Sequence, residues 1–121
     1  KAEVEWENYY ADDADIVLVS YGTMSRICKE AVLAARKSGM KLGLIRPITL
    51  WPFPVEAFKG LKAKAFLTVE MSAIPQMAED VSLALRGATP NYSYATGMFY
   101  PDEMDNIDMA QRVLDGKEQE V

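Results

Sequence analysis

The stretch IVLVSYGTMSRICKEAVLAARKSGMKLGLI, residues 16–45, decides the fold class of this chain. It begins with the apolar run Ile16 to Ser20, which is rich in β-branched residues and typical of a strand buried on both faces of a parallel sheet. Apolar residues then recur at helical spacing from Met24 to Ser38, and a second apolar run follows from Met40 to Ile45. Strand, helix and strand in this order predict a parallel βαβ unit with a right-handed crossover.

The residues at both ends of the predicted helix favour a helix start and a helix end at these positions. Thr23 or Ser25 can cap the first turn through a side-chain oxygen. Arg36 and Lys37 lie in the last turn, where positive charge favours the helix dipole. Gly39 suits the left-handed position after the last turn. The sequence therefore predicts a helix with defined ends between the two strands.

Alternating strand and helix patterns continue on both sides of this unit. The predicted elements are an edge strand at Glu3 to Tyr10, a short helix at Val55 to Gly60, a strand at Ala65 to Val69, a helix at Ile74 to Arg86, a weak strand at Asn91 to Ala95 and a helix from Pro101 or Asp102 to Leu114. Such an order predicts an α/β fold with three layers, α/β/α, in which helices cover both faces of the sheet.

The length fits one domain of 121 residues, with a core at about 3–115 and a frayed tail at 116–121. The first residue is Lys1 rather than Met, and we therefore expect a domain excised from a longer subunit. We see no internal repeat, and the pattern predicts no second domain.

The composition excludes several functional classes. With 13 basic and 18 acidic residues the net charge is −5, so nucleic acid is not an expected partner. No apolar run approaches the ~20 residues that span a bilayer, and no membrane partner is expected. The single cysteine cannot form an internal disulfide and suits a cytoplasmic location. The absence of histidine removes the commonest general base and metal ligand, and no metal site is predicted.

A proline-rich connector follows the second buried strand. The segment Leu44 to Pro54, LIRPITLWPFP, contains three prolines and two large aromatics, Trp51 and Phe53. Each proline fixes φ and removes a backbone donor, so the connector is stiff and extended. Trp51 and Phe53 require burial, either against this domain or against a neighbour.

Three segments are predicted at the carboxyl ends of parallel strands, where ligands bind in open α/β sheets. Gly22 and Thr23 form either an anion site at a helix start or, more simply, a capped tight turn. Arg46 either binds a ligand or neighbouring domain, or forms an internal ion pair, with Glu70 as its candidate partner. Glu70 lacks a second carboxylate at a suggestive spacing, so a structural role is favoured over acid–base chemistry. Gln76 completes this possible ligand or domain-interface edge.

No catalytic residue is predicted. Cys28 lies inside the first helix, where it is expected to act as a small hydrophobic residue. A catalytic thiolate would need exposure and a basic partner. From the residues alone, the chain is a non-catalytic α/β domain.

Four segments carry a resemblance to a known family: Val19 to Thr23 (VSYGT), Gly43 to Pro54 (GLIRPITLWPFP), Thr68 to Met71 (TVEM) and Gln76 to Val81 (QMAEDV). They resemble domain II of the α-type subunit of thiamine-diphosphate-dependent 2-oxoacid:ferredoxin (flavodoxin) oxidoreductases, nearest the 2-oxoisovalerate and 2-oxoglutarate branch. The proline–aromatic segment is the most specific of these motifs.

The resemblance implies a transketolase C-terminal-like fold, with a five-stranded mixed sheet whose first strand is antiparallel. The parent complex is implied to decarboxylate a 2-oxoacid oxidatively to an acyl-CoA, with thiamine diphosphate, Mg, iron–sulfur clusters and CoA. Its implied partners are the other domains and subunits and ferredoxin. This chain is implied to bind none of these cofactors and to be inactive alone. The alternative is a free-standing α/β module that binds a small anion at the carboxyl edge, at Gly22, Arg46 and Gln76.

Overall fold

The computed structural model describes residues 6–48, 55–58, 61–70, 81, 83, 85, 89–95 and 103–116. Its elements are β1 (Trp6–Tyr9), β2 (Ile16–Val19), α1 (Thr23–Lys37), β3 (Leu42–Pro47), a 3₁₀ turn (Val55–Phe58), β4 (Ala65–Glu70), β5 (Asn91–Ala95) and α2 (Glu103–Leu114). Val81, Leu83 and Leu85 are helical and belong to the segment predicted as a helix at 74–86, most of which lies outside the described residues. The βαβ unit is confirmed with its boundaries shifted by only one or two residues.

The five strands form one mixed sheet in the order β1-β3-β2-β4-β5. β1 runs antiparallel to β3, and the other neighbouring strands are parallel. Ile16 at the start of the central strand β2 is level with Leu42 on one side and Ala65 on the other. The mixed sheet with an antiparallel first strand is confirmed.

Helical elements cover both faces of the sheet, because successive side chains of each buried strand point to opposite faces. α1 and α2 cover one face, and the 3₁₀ turn with the helical residues Val81 and Leu85 covers the other. The core under α1 and α2 includes Ile16, Leu18, Leu44, Leu67, Cys28, Val32, Ala110 and Val113, and the core on the opposite face includes Val17, Val19, Ile45, Phe66, Phe58, Val81 and Leu85. The three-layer architecture follows from this division. None of the described helices combines the length and apolarity that a bilayer crossing requires.

The turn between β1 and β2 lies directly on β3. The Asn8 side chain accepts a hydrogen bond from the backbone N–H of Ala11 at 3.0 Å, and Tyr10 takes a positive φ of 59°. This brings the backbone of Tyr10 and Ala11 against Gly43, where an added Cβ would lie 2.6 Å from the Ala11 Cα and 2.6 Å from the Tyr10 carbonyl oxygen. Position 43 therefore requires a residue without a side chain.

Arg36 lies in the last turn of α1 and connects the β1–β2 turn to β3 through hydrogen bonds. Its Nε donates to the Leu42 carbonyl oxygen at 2.9 Å, and its Nη2 donates to the Tyr10 carbonyl oxygen at 2.9 Å. Nη2 also donates to Asp13 Oδ1 at 2.7 Å, and the guanidinium stacks 4.9 Å from the centre of the Tyr10 ring. The hydrogen bond from Arg36 is the main reason that the pKa of Asp13 is lowered from its usual value. One side chain thus joins α1, β3 and the β1–β2 turn.

Replacing Arg36 with glutamine should lower the free energy of unfolding at pH 7 by about 1–2 kcal/mol, because two backbone carbonyls lose a charged donor. Part of this loss depends on pH. The folded pKa of Asp13 is depressed, so its stabilisation is present above the ordinary value of about 3.9 and is lost as the pH falls through the folded value. The difference in the free energy of unfolding between wild type and Arg36→Gln, measured by urea unfolding, should therefore be smaller at pH ~2.5–3 than at pH 7.

The matched control for this prediction is Lys37→Gln. Lys37 is the neighbouring residue and is exposed, so its replacement should change stability by less than about 0.5 kcal/mol. Equal effects at positions 36 and 37 would show that the bonds of Arg36 add nothing beyond a general charge effect at the helix end.

Candidate functional site at the carboxyl edge

The carboxyl ends of β2 and β3 meet at a basic cleft. The cleft has a volume of about 490 Å³ and is lined by Gly22, Ser25, Arg26, Lys29 and Arg46. Gly22 and Arg46 were predicted at this edge from the sequence. Arg26 and Lys29 were not, although their i, i+3 spacing places them on one side of the first turns of α1. We call this feature the basic cleft.

The turn before α1 is shaped by Gly22. Its φ of 63° and ψ of −146° belong to a region that is essentially restricted to glycine. Gly22 itself occupies the N-cap position, and no side chain caps the helix. The prediction that Thr23 or Ser25 caps this end was therefore wrong: the helix already begins at Thr23, and the Ser25 hydroxyl donates to the Gly22 carbonyl oxygen at 2.6 Å. Ser25 thus closes the turn from inside the helix.

The described charge partner of Arg46 is Glu7 on β1. The antiparallel register places Glu7 level with Arg46, and their side chains approach to 3.9 Å. Lys29 Nζ lies 2.7 Å from the same oxygen, Oε1 of Glu7, and 5.5 Å from the centre of the Tyr9 ring. Oε1 has no hydrogen-bond partner in the described part of the chain, so these are charge contacts without hydrogen-bond alignment. An ion pair between Arg46 and Glu70 stays a prediction, because the Glu70 side chain lies outside the described residues.

The other predicted edge residues are not described. Trp51, Phe53 and Gln76 lie outside the described residues, and so does the side chain of Thr23. The structure therefore brings together Gly22 and Arg46 from the predicted set and adds Arg26, Lys29 and Glu7. The position of Glu7 at this edge could be found only from the register of β1 against β3.

Cys28 is fully buried in the core between α1 and the sheet, as the sequence predicted. Burial raises the pKa of its thiol to about 11, and a contact with the Ser20 hydroxyl opposes only part of that rise. A thiol with so high a pKa is protonated at neutral pH and is a poor nucleophile or metal ligand. Within the described ranges, no group of three or more His, Cys, Asp or Glu residues could hold a metal ion.

The chemistry available at this edge is the binding of anionic oxygens. Arginine offers planar paired donors that match a carboxylate or phosphate, and lysine offers a mobile point charge. Among the described residues, the carboxylate beside the cleft is that of Glu7, which contacts both Lys29 and Arg46. The described side chains provide positive charge and hydrogen-bond donors rather than an acid–base pair.

The architecture that carries this edge, a mixed sheet between helical layers, is that of a transketolase-like α/β domain. The fold aligns with the structure "Split gene transketolase, inactive beta4 tetramer" with a TM-score of 0.73 and 17% identity, over 93% of this chain and 42% of that one. It also aligns with a 2-oxoglutarate:ferredoxin oxidoreductase from Magnetococcus marinus, with a TM-score of 0.64 and 18% identity, over 93% of this chain and 20% of that one.

The chain belongs to the family "Pyruvate:ferredoxin oxidoreductase core domain II", whose model matches residues 14–101. It is 51% identical over 84 residues to the ketoisovalerate oxidoreductase subunit VorB of Methanothermobacter marburgensis. That alignment covers 68% of this chain and 24% of the relative, so the chain spans about a quarter of the relative's length. The family resemblance drawn from the sequence motifs is confirmed.

Proposed function

We propose that this chain is the second domain of the α-type subunit of a thiamine-diphosphate-dependent 2-oxoacid:ferredoxin oxidoreductase. The observation that carries the proposal is the family match over residues 14–101, supported by the 51% identity to a ketoisovalerate oxidoreductase subunit. A branched-chain 2-oxoacid is the substrate class of the parent complex. The parent decarboxylates it oxidatively to the acyl-CoA and passes the electrons to ferredoxin.

The residues of this chain do not fit the cofactors of the parent reaction. An iron–sulfur cluster requires several cysteine thiolates, whereas the sequence has one cysteine, which is buried and has a raised pKa. The sequence also lacks the GDG…N segment expected of a diphosphate-binding domain. We therefore assign thiamine diphosphate, Mg, the clusters and CoA to other parts of the complex, which we place in the cytoplasm.

The role of the domain in this proposal is to pack against neighbouring domains and subunits. The candidate interface edge comprises Gly22, Thr23, Arg46, Trp51, Phe53, Glu70 and Gln76. The basic cleft supports this role, because its described side chains present positive charge without an acid–base pair. A free-standing anion-binding module is not favoured, since the related proteins are several times longer than the matched region.

Turnover assays test this assignment. A complex of full-length subunits should reduce ferredoxin with 2-oxoisovalerate and CoA, and the 121-residue chain alone should release no CO₂ from any 2-oxoacid. The full-length complex without added CoA is the matched control for acyl transfer. Decarboxylation by the chain alone, or a full-length complex inactive with every 2-oxoacid, would contradict the proposal.

A further inference from the structure

The described cations of the basic cleft outnumber the described carboxylates that pair with them. Three cations, Arg26, Lys29 and Arg46, line it in a chain whose net charge is −5. In the described part of the chain, Glu7 is the only carboxylate that pairs with any of them, and Arg26 has no ion pair. The first turn of α1 contains no acidic residue that would offset the positive end of its dipole.

Glu7 contacts its two cationic neighbours unequally through the same oxygen. Lys29 holds Oε1 at 2.7 Å, and Arg46 is left at 3.9 Å from the same atom. No described residue accepts a hydrogen bond from Arg46, whose side chain is about one-third exposed. With respect to the described residues, Arg46 therefore keeps a planar set of donors that can receive a second carboxylate in a two-bond arrangement.

We propose that the basic cleft receives an acidic segment, with Asp or Glu side chains, from a part of the same subunit outside these 121 residues. This inference rests on the proposed function, since it requires a longer subunit. Charge complementarity identifies the chemistry of the segment. The cations line an open cleft and lie on two elements, α1 and β3. A protein segment bound there would remove them from water, whereas a small free anion would leave them solvated and screened by salt.

The direction of β1 supports an occupant within the same subunit. β1 is antiparallel to β3, so Trp6 is level with Pro47 at the carboxyl edge, and Glu7 is level with Arg46. The chain therefore enters this domain beside the basic cleft. A domain that precedes β1 is tethered within reach of the cleft, and tethering raises the effective concentration of its acidic side chains there.

Zero-length crosslinking in the assembled complex tests the proposal. A carbodiimide joins a lysine amine to a carboxylate only when the two are in contact, so the full-length subunit should carry Arg46→Lys or Arg26→Lys. Both changes keep the positive charge. Mass spectrometry should detect a link from position 46 or 26 to an Asp or Glu outside residues 1–121, with at least about tenfold more product than from Lys37, the exposed control at the other end of α1. The contact between Lys29 and Glu7 provides an internal positive control.

The possible outcomes separate this proposal from the proposed function. The proposal of an acidic segment is overturned if positions 46 and 26 link only to carboxylates within residues 1–121, whether of the same copy or of a second copy. It is also overturned by protection of these amines by inorganic pyrophosphate without any protein link, which would identify a small-anion site. If other lysines of the domain still link to the rest of the complex, the interface role stands. If none does, the interface role fails as well.

Discussion

Replacing Phe66 with alanine should lower the free energy of unfolding by about 3–5 kcal/mol, the loss typical of a large buried aromatic. Phe66 is 1% exposed in β4 and lies on the face of the sheet opposite α1 and α2. Its ring meets that of Phe58 edge to face, with centroids 5.5 Å apart. The surrounding strands are fixed by their ladders, so the cavity cannot close. Urea unfolding followed by far-ultraviolet circular dichroism measures the loss.

Two further variants isolate the cause of this effect. Phe66→Leu preserves most of the buried apolar volume and should cost less than half as much as Phe66→Ala. Leu83→Ala removes an apolar side chain that is 73% exposed and should change stability by less than about 0.5 kcal/mol. If Phe66→Ala costs no more than Leu83→Ala, the 3₁₀ turn does not cover this face of the sheet in solution.

Gly43→Ala should lower the free energy of unfolding by about 2–3 kcal/mol, although it adds one methyl group to a buried strand. The new Cβ would lie 2.6 Å from the Ala11 Cα and 2.6 Å from the Tyr10 carbonyl oxygen, which are backbone atoms that no rotamer change can move. The Tyr10 carbonyl is also held by Arg36 at 2.9 Å. The β1–β2 turn must therefore lift from β3, with a fall in melting temperature of roughly 10 °C.

The control for this clash is Gly39→Ala. Gly39 has a φ of 90°, and an added Cβ would meet nothing within 4 Å, so its replacement tests backbone strain without a collision. It should cost about 1 kcal/mol, less than the change at position 43. A Gly43→Ala variant as stable as the wild type, or a larger loss at position 39, would show that the turn does not rest on β3.

The local sequence predicted the elements well because their patterns are determined by burial. The continuous β-branched run at Ile16 and the helical spacing after Met24 gave β2 and α1 with small boundary errors. The short strand at Asn91 was recognisable despite its polar side chains. The hydrogen bonds of Arg36 to β3 and to the β1–β2 turn were not predicted, because they depend on three elements that meet only after the sheet has formed.

The candidate site was predicted only in part, because some of its residues meet only through the pairing of strands. Gly22 and Arg46 follow from the rule that ligand edges lie at the carboxyl ends of parallel strands. Glu7 joins them through an antiparallel register that its alternating segment does not specify. The error at Ser25 arose because glycine can hold the N-cap position by conformation alone, with no side-chain oxygen.

The position of β2 at the centre of the sheet determines when the domain can fold. β2 needs β3 on one side and β4 on the other, and the second of these partners is far along the chain. During synthesis β2 is therefore made early but keeps one edge unpaired until β4 has left the ribosome. Parallel pairing across such long loops is slow, and an unpaired apolar strand edge promotes aggregation. Nascent chains from which β4 has not yet emerged should thus depend on chaperones, whereas chains from which residues 65–70 have left the ribosome can complete the central strand.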